Sequence, residues 1–139
     1  MTSTLVDTNI FIDILGPSDT PTRSWSMQAL KACLGEGRII VSAIVWAELA
    51  EPKLGEALLF TALSWLRPKR EDFPFAAAYA AGQAHRTYRR QGGTRERTLP
   101  DFLIGAHALT AGHRLLTRDG GRYRAYFPTL DLLSPETRP

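Results

Sequence analysis

One cysteine, Cys33, is all this 139-residue chain has, so no internal disulfide can form and a reducing compartment is the simpler expectation. Set in Ala29-Leu30-Lys31-Ala32-Cys33-Leu34, it reads as a small buried apolar residue rather than a nucleophile. Long apolar runs are also missing. The longest, Ile39 to Ala50, contains Ser42 and Glu48 and falls well short of the roughly 20 residues that span a bilayer. The amino terminus has no basic patch followed by an apolar core, and Asp7 and Asp13 interrupt it, so a cytoplasmic location is expected. The phosphate loop GxxxxGK[ST], the dinucleotide fingerprint GxGxxG and the nucleophile elbow GxSxG are all absent. A zinc site would need clustered Cys and His at short spacings. With one cysteine, the scattered His85, His107 and His113 are read as carrying no metal.

What is present describes an ordinary soluble chain with a basic lean. Hydrophobic residues make up 44% and charged residues 22%. The length suits a single domain over 1–139. The net charge of +3 points mildly to a polyanionic partner. Leu5-Val6, Arg38 to Val41 and Arg114 to Thr117 read as buried strands, with a shorter one at Glu71 to Phe73 and an edge strand at Thr129 to Leu133. Helical spacing covers Thr8 to Leu15, Trp25 to Leu34, Ser42 through Glu51, Gly55 to Leu66, Phe75 to Arg90 and Pro100 to about Ala111. Gly16-Pro17, Gly35, Pro52, Gly92-Gly93 and Gly112 punctuate them, and Asp119-Gly120-Gly121 reads as a turn. Strands that alternate with helices argue for a parallel sheet covered on both faces.

Four acids sit at the junctions of this pattern: Asp7, Glu48, Asp101 and Asp119. Each has a plain structural reading. Asp7 can cap a helix, Asp101 can sit in a favourable first helical turn, Asp119 suits a turn, and Glu48 can face solvent. Glu48 strains that reading, because Ile44, Val45, Trp46, Leu49 and Ala50 surround it and a buried carboxylate there needs a partner or a metal. Open α/β sheets collect ligands at strand carboxyl ends. Gathered carboxylates repel unless a cation neutralises them, and a hard divalent ion prefers oxygen donors. Thr8, Asn9 and Thr117 stand close enough in sequence to orient the acids.

The blocks that carry these acids are Leu5 to Asp13 (LVDTNIFID), Ser42 to Leu49 (SAIVWAEL), Pro100 to Leu109 (PDFLIGAHAL) and Leu115 to Asp119 (LLTRD). In content and order they resemble the four signature blocks of the PIN-domain nucleases, most of all the toxin half of VapBC-type toxin–antitoxin pairs. The resemblance runs from about residue 5 to residue 133. It implies an α/β fold, a PIN-like doubly wound parallel β-sheet sandwiched between helices. It also implies a Mg²⁺- or Mn²⁺-dependent ribonuclease, homodimers and a small antitoxin partner. By matched position, Asp7, Glu48, Asp101 and Asp119 would form the catalytic and metal-binding set, supported by Thr8, Asn9 and Thr117. Gly105 departs from the family's usual alanine, which would loosen its helix by up to about 1 kcal/mol.

Residues 85–97 hold Arg86, Arg89, Arg90, Arg95 and Arg97 against Glu96, a local surplus of positive charge larger than that of the whole chain. Arg118 and Arg122 join Arg114 and Arg124 around Asp119. Arginine forks suit phosphates, so these side chains are read as contacts for an RNA backbone or for an acidic antitoxin. Tyr88, Tyr123 and Tyr126 are read as possible stacking partners for unpaired bases, and Trp25, Trp46 and Trp65 as core or dimer contacts. The competing function is a PIN-like module that binds RNA or protein without cutting.

Overall fold

The apolar runs form the middle of a sheet. The computed structural model describes residues 1–17, 20–50, 54–93 and 99–139. Within these, β1 (Thr4–Val6), β2 (Ile39–Ser42), β3 (Lys69–Glu71), β4 (Arg114–Leu116) and β5 (Leu132–Leu133) pair in the order β3-β2-β1-β4-β5. Every pairing is parallel. Residues of β1 and β2 are buried throughout, as near-continuous apolar strands are when helices cover both faces. β3, at the edge, is Lys-Arg-Glu, a charged strand of the kind that blunts edge-to-edge association.

The helices are α1 (Thr8–Leu15), α2 (Pro21–Glu36), α3 (Ala43–Glu48), α4 (Glu56–Leu63), α5 (Phe75–Arg90), α6 (Leu99–Ala111) and α7 (Gly121–Tyr126). The chain runs from β1 outward through β2 to β3, then returns to place β4 on the other side of β1. The strand order therefore reverses between β1 and β4, and their carboxyl ends flank the switch point where doubly wound sheets take ligands.

Local chemistry explains where the elements depart from the sequence reading. α2 starts four residues earlier than expected, because the Thr20 hydroxyl accepts from Arg23 N at 3.2 Å and Pro21 occupies the first turn. α3 stops at Glu48, so Leu49 and Ala50 fall outside the helix expected to include them; its expected end at Glu51 and the stop at Pro52 lie outside the described residues. The helix expected over 55–66 divides into α4 and a 3₁₀ turn, Ser64–Leu66, which ends at Arg67 with φ 47°. β3 lies two residues upstream of its expected place, and β5 shortens to two residues. α7 begins within what read as a turn and continues where no element was expected; Tyr123, Tyr126 and Phe127 are spaced as one helical face, and the preceding glycines masked it. Gly112, with φ +75°, ends α6 in the left-handed region that glycine favours.

Gly105 does more than loosen α6. A Cβ built there would lie 2.7 Å and 2.8 Å from ring atoms of Phe127 and 3.0 Å from the Tyr123 ring. Both rings are buried, so neither can swing aside freely. Gly105→Ala recovers about 1 kcal/mol of helix propensity, but forced overpacking of a filled core costs about 1–3 kcal/mol. The expected outcome is a net loss of stability, read as a lower urea midpoint at unchanged slope. An alanine variant as stable as wild type would show that the rings yield.

Candidate active site

Asp7 is the first residue after β1, and its backbone N–H donates to Leu116 O of β4 at 2.9 Å, which fixes it beside the end of that strand. The side chain is buried, at 4% exposure. Oδ1 caps α1 by accepting from Thr8 N at 2.8 Å. Oδ2 accepts from the Thr117 hydroxyl at 2.8 Å, the Tyr123 hydroxyl at 3.0 Å and Asn9 Nδ2 at 3.4 Å. The capping role and the site role thus belong to different oxygens of one carboxylate. Burial pushes Asp7 up to about 6; the charge of Asp101 adds to this, and the bonds from Thr117, Tyr123 and Thr8 oppose it.

Thr117 follows β4 and is buried. Its hydroxyl oxygen also accepts from Asp119 N at 3.1 Å and from Asn9 Nδ2 at 3.3 Å, so it ties the ends of β1 and β4 together. Asn9 Oδ1 accepts from Arg118 N at 3.1 Å, which closes the ring of bonds. Asp119 itself is exposed.

Asp101 lies in the first turn of α6. Because α6 leads directly into the amino end of β4, that first turn sits at the carboxyl edge of the sheet. Burial raises Asp101; the Arg122 guanidinium pulls it down, and the charges of Glu48 and Asp119 push it up again. The Arg122–Asp101 ion pair is part-buried, and the same guanidinium lies 5.5 Å over the Tyr88 ring. Burial likewise raises the Tyr123 phenol far above its usual range, aided by Asp7, Asp101 and Glu48, so it stays a donor.

Glu48 is exposed, contrary to the burial expected from its apolar neighbours. It ends α3, where the side chain leaves the packed face, and Oε1 accepts from the Thr8 hydroxyl at 2.6 Å. The four acids therefore share one electrostatic neighbourhood with Asp101 at its centre: Asp7, Glu48 and Asp119 each couple to it. They do not form a tight knot. Among the described residues, the trio of His, Asp or Glu side chains whose ligand atoms all fall within 4.8 Å is Glu71, His107 and His113. An open oxygen-rich set fits Mg²⁺, which keeps several waters and takes one or two carboxylates directly. Burial, with like charge added to it, raises Asp7 and Asp101, and a bound cation offsets both by favouring the charged carboxylates.

The arginines divide. Arg86, Arg89 and Arg90 are exposed at the end of α5, where Arg86 and Arg90 line a surface cavity with Tyr79, Gln83 and Thr87. Arg118 Nε pairs with Asp13 Oδ2 at 2.7 Å, and Arg122 pairs with Asp101, so both are already engaged with carboxylates. Arg95 and Arg97 lie outside the described residues.

The tyrosines are not a base platform as a set. Tyr123 is buried on Asp7, while Tyr88 and Tyr126 pack against Phe102 at 5.6 Å and 5.3 Å. Trp25 and Trp46 pack partly buried against the core, and Trp65 is exposed. Tyr123, which the sequence reading assigned to base stacking, is instead a partner of Asp7; its helical spacing with Tyr126 and Phe127, directly after Asp119, is the signal that marks it.

No helix among the described residues is long and apolar enough to cross a membrane. Solved structures of similar fold include VapBC2 from Rickettsia felis bound to a DNA fragment from its promoter, at 20% identity and TM-score 0.70, covering 96% of this chain and 98% of that one. VapBC-1 from nontypeable Haemophilus influenzae is similar at 18% identity and TM-score 0.69, and FitAcB from Neisseria gonorrhoeae at 20% and 0.61, each with the same 96% and 98% coverage. No curated protein matches the chain significantly. The PIN domain profile matches residues 4–128, a span that contains all four acids and the whole switch point, and the chain belongs to the PIN domain family that its sequence blocks resemble.

Proposed function

We propose that the protein is a divalent-metal-dependent endoribonuclease and the toxin of a type II toxin–antitoxin pair. The observation that carries this reading is the hydrogen-bond frame at the carboxyl edge beside the switch point, where Thr8 joins Asp7 to Glu48, Thr117 joins Asp7 to Asp119, and the charge of Asp101 bears on Asp7. Asp7, Glu48, Asp101 and Asp119 would hold Mg²⁺ or Mn²⁺. Bound there, such an ion activates water for attack and offsets the charge that builds on the scissile phosphate.

The chain's own groups set the stage for that ion. Thr117, Tyr123, Asn9 and Thr8 N hold the Asp7 carboxylate in one orientation. The Thr8 hydroxyl holds Glu48. Arg122 steadies Asp101 and limits the repulsion among the acids. Arg86, Arg89 and Arg90 present exposed positive charge to an anionic backbone. The toxin assignment and a small antitoxin draw on the fold shared with VapBC and FitAB complexes, and a homodimer is what the family resemblance implies.

The reading is tested by incubating a mixed RNA pool with purified protein plus Mg²⁺, plus chelator, and with Asp101→Asn. Cleavage is expected with Mg²⁺ only, and Asp101→Asn is expected to lower it roughly 100-fold. A protein that binds the pool without cutting it under any of these conditions is the silent binding module. Cleavage indifferent to both chelator and substitution contradicts the mechanism.

A further inference from the structure

A second constellation lies away from the four acids. His107 Nε2 and His113 Nε2 each sit 2.8 Å from the same oxygen, Oε1 of Glu71. His107 is fully buried, His113 has 10% of its side chain exposed and Glu71 21%. His107 Nδ1 lies 2.9 Å from the Ser42 hydroxyl, and His113 Nδ1 lies 2.6 Å from the Ser3 hydroxyl. The other carboxylate oxygen of Glu71 is 3.8 Å from Lys69 Nζ. All three candidate ligand atoms lie within 4.8 Å of one another.

We propose that Glu71, His107 and His113 bind a transition-metal cation of the Zn²⁺ class. Two imidazoles and a carboxylate are a donor set that Zn²⁺ accepts, with a fourth position left for water, and the partial exposure of Glu71 gives solvent a way in. The nitrogen content separates this site from the all-oxygen set, which favours Mg²⁺. Asp101 and His107 share α6 six residues apart, about 9 Å along the axis, so the two sites are neighbours rather than one.

Bonds of about 2.0–2.1 Å in a tetrahedral centre separate donors by about 3.4 Å, so each nitrogen moves back from Oε1 by about half an ångström, and the two nitrogens, which lie within 4.8 Å of one another, settle at that spacing. In the metal-free form each ring holds its proton on Nε2 and donates it to Glu71. Metal entry requires the proton on Nδ1 instead, and Ser42 and Ser3 are placed to accept it. The Ser42 oxygen also caps α3 by accepting from Ile44 N at 3.2 Å, and a hydroxyl oxygen has room for both bonds. No net proton leaves a pair of neutral rings. Such outer partners on ligating histidines fix ring orientation and tautomer. The bound ion ties edge strand β3, which pairs with β2 alone, to α6 and to the residue before β4.

The experiment strips the full chain with chelator and titrates Zn²⁺ by calorimetry and Co²⁺ by visible absorption. Wild type, Asp101→Asn, His113→Gln and Glu71→Gln are compared, with circular dichroism reporting fold. One tight Zn²⁺ per chain is expected in wild type and in Asp101→Asn, with strong d–d bands for Co²⁺. Binding is expected to weaken at least tenfold in His113→Gln and Glu71→Gln. Ser3→Ala keeps every ligand and is expected to weaken binding by about tenfold, which preserves the test if a ligand variant does not fold. Equal Zn²⁺ affinity in wild type and in the folded ligand variants overturns the proposal. So does a wild-type protein that binds no Zn²⁺, or one whose Zn²⁺ binding disappears in Asp101→Asn.

Discussion

Asp7→Asn is expected to lower RNA cleavage roughly 100-fold or more and to remove a pH dependence from the stability of the metal-free protein. Asn keeps the size of the side chain and removes the charge. In the folded chain, burial raises Asp7 from its ordinary 3.8 to about 6. The folded state therefore keeps its proton to higher pH than the unfolded chain. Stability from this group is greatest below the ordinary value, falls as pH rises from about 4 to 6, and is level above. The shift corresponds to about 3 kcal/mol.

Other groups run the opposite way. Burial lowers His107 despite Glu71, so its contribution falls away at low pH. Burial pushes Glu71 up, but hydrogen bonds from His113 and His107 outweigh it and hold the net value low, so its contribution is also lost on acidification. The wild-type curve is thus composite, and the wild-type minus Asp7→Asn difference removes the His107 and Glu71 contributions and leaves Asp7 with its coupling to Asp101. Chemical denaturation in chelator between pH 4 and 7 is expected to show that difference falling with pH. Saturating Mn²⁺ offsets most of the fall, since an ion at 100 times its dissociation constant adds about 2.7 kcal/mol to the folded state. A difference independent of pH would mean that Asp7 ionises as if exposed.

Phe102→Ala is expected to cost about 3–5 kcal/mol, a large part of the about 5–15 kcal/mol that a domain of this size has. Phe102 is fully buried and follows Asp101 directly in α6. Its ring meets His85 and Tyr88 of α5, Tyr126 of α7 and Phe127 just beyond it, at 5.3–6.2 Å. Small residues such as Ala77 and Ala81 let α5 approach α6 closely, and Phe102 fills the space at the end of that seam. Phe102→Leu keeps most of the volume and is expected to cost less than half as much. A urea midpoint unchanged by Phe102→Ala would show that the aromatic cluster does not hold α5 and α7 to α6.

Periodicity and chain order carried the fold and the place of the four acids because both are local signals. β1, α1 and α5 begin and end within a residue or so of their sequence-based limits, since an apolar run, a cap or a paired glycine marks each boundary. Glu48 was misread because a contiguous apolar window does not say which face of a short helix its last residue leaves. The packing role of Gly105 was not legible because its neighbours, Phe127 and Tyr123, come from a distant segment that folds as an unforeseen helix. The histidine cluster was invisible for the same reason. His107 and His113 lie 36 and 42 residues from Glu71, and only the fold brings α6 and the residue before β4 to the end of β3.

The most direct test of the account is a Mn²⁺ titration, followed by the spin resonance of the free ion, in Glu71→Gln protein, where the histidine cluster is disabled. The account predicts one or two bound Mn²⁺ per chain, with affinity at least tenfold weaker when Asp101→Asn is added. Mn²⁺ binding that is absent from Glu71→Gln, or equally strong with and without Asp101, would contradict the claim that these four carboxylates form one cation pocket.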